Sequence, residues 1–233
     1  MPVLALDTSA AASAAVVDDA GRTLATRSSG ETRRHAEALT PLLDAVLAEA
    51  GVARTELTAV VAGTGPAPFT GLRVGLVTAR TLGLALGVPV HGVSSLDALA
   101  LATVRALQPA GEVLVVTDAR RREVYWARYR AVVGAGTDAT VEVVDGPGVD
   151  APADVAAREV EGLVVAGAGT ALYPELLPAT PGTPADVDPA DLARVALARL
   201  AVAGEGTVLP TEPLYLRRPD AVPPAPGKRV LGS

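Results

Sequence analysis

Three stretches of this 233-residue chain hold side chains able to do chemistry. Asp7-Thr8-Ser9 closes an apolar run and offers a carboxylate and two hydroxyls at a turn. That set suits contact with a phosphate, and equally the local capping of a strand end. Asp118 closes a second apolar run and is followed by Arg120, Arg121 and Arg122, an anion-holding tip or a solvated hairpin tip. The third stretch, Gly63-Thr64-Gly65-Pro66-Ala67-Pro68-Phe69-Thr70-Gly71-Leu72-Arg73-Val74-Gly75, is shaped by its backbone, because glycine permits positive φ and close approach while proline fixes turns. No lysine follows its glycines, so it is not a phosphate loop of the Walker kind. Cysteine is absent and the histidines are only His35 and His91, which removes thiol nucleophiles, disulfides and thiolate metal sites. Gly167-Ala168-Gly169 is too short a pattern to assign an adenosine site.

The elements that must position these groups follow from the hydrophobic pattern. Val3 to Thr8, Ala14 to Asp18 and Thr23 to Ser28 read as strands, with a helix from about Arg34 to Ala50. Leu57 to Ala62 reads as a buried strand feeding the glycine-rich junction and a helix reaching Leu86. Thr70 is its expected N-cap, Phe69 is expected to staple onto Val74, and Gly87 with Pro89 supplies the stop. Val88 to Val93 is a strand, and Ser94 caps a helix to Ala106. The pattern then restarts, with strands over Glu112–Asp118, Glu123–Arg130, Ala139–Val144 and Gly162–Gly167, a helix over Ala171–Leu177 and a last helix over Pro189–Ala203. Residues 145–152 and 178–190 read as loops. Two βββα-type units in tandem, each opening on a strand that ends in Asp, make the actin/Hsp70-like α/β fold the candidate. The expected divisions are 1–106, 107–218 and a Pro- and Gly-rich flexible tail, 219–233.

A net charge of −6 and a pI near 5.0 argue against a chain that grips nucleic acid unaided. The N-terminus has no basic segment before Asp7, and Val74–Val93 is interrupted by Arg80 and Pro89. Neither a signal peptide nor a membrane span is expected, and the cytoplasm is the expected location. Two helices are more apolar than one-sided packing needs. The first carries Ala36, Leu39, Leu42, Leu43, Val46, Leu47 and Ala50, with Pro41 predicting a kink or a fresh start. The second is apolar all round, yet places Arg73 and Arg80 seven apart on one face, where a subunit boundary suits arginine better than a dry core. The expected partner interface is therefore His35, Ala36, Leu39, Leu42, Leu43, Val46, Arg73, Leu76, Val77, Arg80 and Leu84, against plain burial as the alternative. An exposed patch of this kind tends to self-pair, so a homodimer is expected of the chain alone.

Leu4-Ala5-Leu6-Asp7-Thr8-Ser9, Gly65 to Gly75, Asp118-Ala119-Arg120-Arg121-Arg122-Glu123-Val124-Tyr125-Trp126-Ala127 and Pro213-Leu214-Tyr215-Leu216-Arg217 together resemble the TsaB family, also called YeaZ. Within it the junction motif is Gly65, Phe69, Thr70, Gly71 and Arg73; Ala67-Pro68 stands where the family shows Gly-Ser. The resemblance implies a reduced actin-like fold whose nucleotide turns, Asp7, Thr8, Ser9 and Asp118, are vestigial. It implies no catalytic residue and no metal on this chain. Its partners would be the catalytic subunit TsaD, in a heterodimer, and the ATPase TsaE. The complex would transfer a threonylcarbamoyl group to the tRNA adenosine beside the anticodon. The chain would carry no cofactor of its own, ATP or ADP would sit at the complex interface, and tRNA would be met only through the complex. TsaD-like proteins hold metal through His-x-x-x-His; here Leu39 stands four residues after His35, and one imidazole cannot hold a metal. A small-molecule kinase of the same fold, or a metallopeptidase, is the alternative activity.

Overall fold

The computed structural model describes residues 1–31, 34–109, 111–133, 139–158, 160, 162–204 and 206–217. The tail expected at 219–233 lies outside them. Uninterrupted apolar runs make β1 (Val3–Asp7) and β2 (Ser13–Val17), both buried throughout. They pair antiparallel, and β3 (Thr23–Ser28) joins β2 at an exposed edge. β4 (Ala59–Gly63) lies parallel to β1, and β5 (Val90–Val93) parallel to β4, giving the order β3-β2-β1-β4-β5. Parallel neighbours need crossovers, supplied by α1 (His35–Ala50) and α2 (Phe69–Leu86). α1 runs through Pro41, which sits on its exposed side, so the chain makes no fresh start there.

The second sheet repeats the scheme. β6 (Glu112–Asp118), β7 (Val124–Val133) and β8 (Ala139–Asp150) form an antiparallel meander, and β9 (Val164–Ala166) pairs parallel with β6. The order β8-β7-β6-β9 matches β3-β2-β1-β4, and Asp7 and Asp118 occupy equivalent strand ends. The stretch 145–150, expected as loop, continues β8. Its alternation is broken by register shifts opposite Trp126–Tyr129, and Gly148 lies flat on the Trp126 ring, where a Cβ would stand 2.8 Å away. The helix expected over Ala171–Leu177 is only the single turn α5 (Gly169–Leu172), and a short α4 (Pro152–Ala156) is present where none was expected.

Two helices change sides. α3 (Ser95–Leu107), which follows the first sheet in sequence, packs on β6, β7 and β8. α6 (Pro189–Ala203), the last helix, packs on β1, β2, β4 and β5. The central core therefore mixes Ala5 and Val61 with Leu99, Val115, Tyr129 and Leu192. Ser94 and Asp188 cap these helices, each accepting a backbone N–H two residues on. Asp97 accepts from Arg199 at 2.6 Å and from the Tyr129 hydroxyl at 2.8 Å, binding α3, α6 and β7 in one polar knot. Burial, with Asp97 alongside, pushes the Tyr129 phenol well above its ordinary range. No helix among the described residues is long and apolar enough to cross a membrane.

Candidate functional site

The junction between β4 and α2 is the centre of the arrangement. Gly65 turns the chain at φ 85°, and its carbonyl accepts from the Ser95 N–H at 2.8 Å and the Ser94 hydroxyl at 3.1 Å. The loop is thereby tied to the start of α3. α2 begins two residues earlier than expected. Pro68, extended and without a side-chain cap bond, occupies the N-cap position assigned to Thr70. Phe69 does not staple onto Val74: it is 50% exposed and stacks against Arg73, whose guanidinium lies 3.5 Å from the ring centre.

α2 rests directly on the turn after β1. The Thr8 hydroxyl donates to the Gly71 carbonyl at 2.9 Å, and a Cβ on Gly75 would stand 2.4 Å from Thr8 Oγ1. Asp7 is 2% exposed and accepts from the Ser9 N–H at 2.8 Å, the Ser95 hydroxyl at 2.6 Å and the Ser9 hydroxyl. Gly63 makes the room, since a Cβ there would be 1.9 Å from Asp7 Oδ2. Burial pushes the Asp7 carboxyl above its ordinary value, against the hydrogen bonds from Ser9 and Ser95. His35 meets the Ala10 carbonyl at 2.7 Å through Nε2, and its ring borders Gly71. Asp7, Thr8, Ser9, His35, Gly71 and Gly75 thus come together as a packed joint rather than an open cleft. Leu39, one turn beyond His35, is 1% exposed and faces the core. Among the described residues no three of His, Asp and Glu stand close enough to hold a metal ion.

The equivalent turn after β6 is open. Asp118 accepts from the Arg120 N–H at 2.7 Å and pairs with its guanidinium at 3.0 Å. Arg120, Arg121 and Arg122 all have left-handed backbone, with φ of 63°, 52° and 65°. Sequence reasoning missed what ties this turn to the junction: the segment 207–217, which has no regular structure and hence no periodicity. Its Leu209 N–H donates to His91 Nδ1 at 3.3 Å, the Gly92 N–H donates to the Leu209 carbonyl, and the Leu214 N–H donates to the Thr64 carbonyl. Arg80 holds Thr211 through both hydroxyl and carbonyl, Arg73 donates to the Tyr215 hydroxyl at 3.0 Å, and Arg217 reaches the Ala119 carbonyl and Glu123. Arg73 and Arg80, assigned to a partner from their spacing, grasp this chain's own strap.

The expected partner surface divides in two. Leu39, Leu43, Val46 and Leu76 are at most 6% exposed and belong to the core under α1 and α2, so their assignment to the interface is corrected. Their side chains fill the space over the first sheet, which takes one face of each helix. Leu42 and His35 are half-buried, while Ala36, Arg73 and Arg80 lie on the surface. Val77 is 61% and Leu84 87% exposed. Between α1 and α2 runs an open groove of about 320 Å³ whose lining includes Leu43, Leu47, Val77, Leu82 and Leu86. A larger cleft of about 700 Å³ lies away from the junction, between α6 and the β2–β3 turn. Its Arg105 and Arg194 are both bound to Asp191.

The repeated strand order, with helices covering both sheets, defines a duplicated α/β fold of the actin type. The family model described as TsaD, tRNA N6-adenosine threonylcarbamoyltransferase, matches residues 28–181. The structure of YeaZ from Pseudomonas aeruginosa is 34% identical, covers 92% of this chain and 99% of its own, and superposes with a TM-score of 0.74. The Escherichia coli tRNA threonylcarbamoyladenosine biosynthesis protein TsaB is 38% identical over 98 residues, 42% of each chain. An uncharacterised protein of Mycobacterium leprae is 44% identical over 95% of this chain, which spans only 56% of that relative's length. The chain belongs to the TsaB (YeaZ) family.

Proposed function

We propose that this chain is a non-catalytic subunit of the machinery that forms threonylcarbamoyladenosine in tRNA, seating a TsaD-type catalytic subunit on its α1–α2 face. TsaE is the third component, and ATP or ADP binds at the interface of the assembled complex. Without TsaD, the same face pairs two copies of the chain. The carrying observation is the outer side of α1 and α2: Val77 and Leu84 stand in solvent beside an apolar groove, although the inner sides of both helices are already filled. A surface of that composition gains on being covered. The sealed Asp7-Thr8 turn supports the non-catalytic part, because a phosphate cannot reach a carboxylate and hydroxyl that α2 covers. The test is reconstitution with purified TsaD- and TsaE-type proteins, ATP, an activated threonylcarbamoyl donor and unmodified tRNA. Modification is expected only when this chain and the TsaD-type protein are both present. Transfer or ATP hydrolysis by this chain alone would overturn the reading.

A further inference from the structure

The strap 207–217 gathers onto one side of the molecule groups that lie far apart in sequence. Phe69 and Tyr215 stack with ring centres 5.1 Å apart, and they remain 50% and 42% exposed. The Arg73 guanidinium lies against Phe69 and donates to the Tyr215 hydroxyl. Two residues on from Tyr215, Arg217 clamps both ends of the β6–β7 turn, tying the tip formed by Arg120, Arg121 and Arg122 to the strap that carries this stack. Asp118 and Glu123 offset Arg120 and Arg217, and Glu212 is exposed on the strap. Arg122 is exposed and makes no ion pair among the described residues. Arg122 thus stands, among the described residues, as a cation not offset by a carboxylate on a chain whose net charge is −6. Left-handed backbone at three successive non-glycine residues is strained, and glycine would fit there without strain. Strain of this kind is kept where the side chains are used.

We infer that this face binds RNA, the arginine tip meeting the phosphate backbone and the Phe69–Tyr215 stack receiving an unpaired base. Unpaired bases stack on aromatic rings and guanidinium planes, and phosphates are met by clustered arginines. The inference rests on the proposed role in tRNA modification, and supplies a contact that the acidic composition alone argued against. In the assembled complex the strap side would present the anticodon loop to the partner's active site.

The probe is a fluorescently labelled, unmodified anticodon stem-loop with adenosine beside the anticodon. It is titrated with the full chain, alone and with the TsaD-type protein, and retention of that protein is measured in parallel. The variant R122G relieves strain and stays folded, with an unchanged or higher melting temperature. It should retain the TsaD-type protein as the wild type does. Its affinity for the stem-loop should fall at least twofold, with a logarithmic salt slope shallower by about 0.7. Phe69→Leu, which keeps an apolar side chain without a ring face, should weaken binding at least threefold with the slope unchanged. Unchanged affinity and slope in R122G overturn the inference. Loss of the TsaD-type protein in that variant also overturns it, assigning the face to a protein. If the wild type itself retains no TsaD-type protein, the proposed function fails, and the same ratios measured on the chain alone decide the RNA face.

Discussion

At the scale of single residues, the joint between α2 and the β1 turn is decided by missing atoms. Alanine in place of a helical glycine ordinarily stabilises by about 1 kcal/mol. At Gly75 the new Cβ would meet Thr8 Oγ1 at 2.4 Å, so Gly75→Ala is expected to destabilise by about 1–3 kcal/mol in urea denaturation. Thr8→Ala should return at least half of that loss in the double variant, and additive losses would show that the contact is not tight. His91 offers a second residue-scale test. Burial holds its imidazole below the ordinary value of 6.5, and its neutral Nδ1 accepts the strap's Leu209 N–H. The folded state therefore binds fewer protons than the unfolded state between the lowered value and 6.5. Stability should fall as pH drops from 6.5 through the lowered folded pKa, and be fully kept above 6.5. Melting temperatures of wild type and His91→Gln from pH 7.5 to 5 should converge towards the acid end; parallel curves would exclude His91 as the source. Of these contacts the sequence shows only the residue types. Asp7-Thr8-Ser9 and Gly71 are legible as special, but nothing in their spacing says that they pack on one another.

At the scale of elements, helices and strands with strong periodicity are legible to within a residue or two, and those without it are not. α3 and α6 begin at capping residues, Ser94 and Asp188, whose side chains make the bonds expected of them. The second half of β8 is hidden by Gly146, Pro147 and Gly148, which read as a loop yet follow the bulged edge of β7. The excess of apolar residues in α1 and α2 is legible too, but not its division between core and surface, because that depends on which side each helix turns to the sheet. The division makes a prediction. Leu39→Glu and Leu76→Glu bury a charge with no partner and should unfold the chain or cost about 3–5 kcal/mol. Val77→Glu and Leu84→Glu, at solvent-exposed positions, should stay within about 0.5 kcal/mol of wild type. Circular dichroism melts separate the two pairs, and a folded, stable Leu39→Glu would put Leu39 back on the surface.

At the scale of the whole molecule, the crossing of α3 and α6 makes the two sheets share one core. The Asp97–Arg199–Tyr129 knot adds a polar tie across it. Arg199→Met leaves the buried Asp97 with Tyr129 alone, and should cost about 1–3 kcal/mol, less than a fully buried pair because Arg199 is partly exposed. Unfolding should remain a single transition by fluorescence and circular dichroism alike, since neither sheet keeps its inner covering without the other's helix. Two separate transitions would mean that the halves fold independently. The central claim, that the outer side of α1 and α2 seats a TsaD-type subunit, is tested most directly by the affinity of Val77→Glu and Leu84→Glu for that protein. Calorimetric titration of the folded variants should show at least tenfold weaker binding than wild type, and the double variant should not bind measurably. Wild-type affinity in a folded V77E/L84E chain would contradict the account.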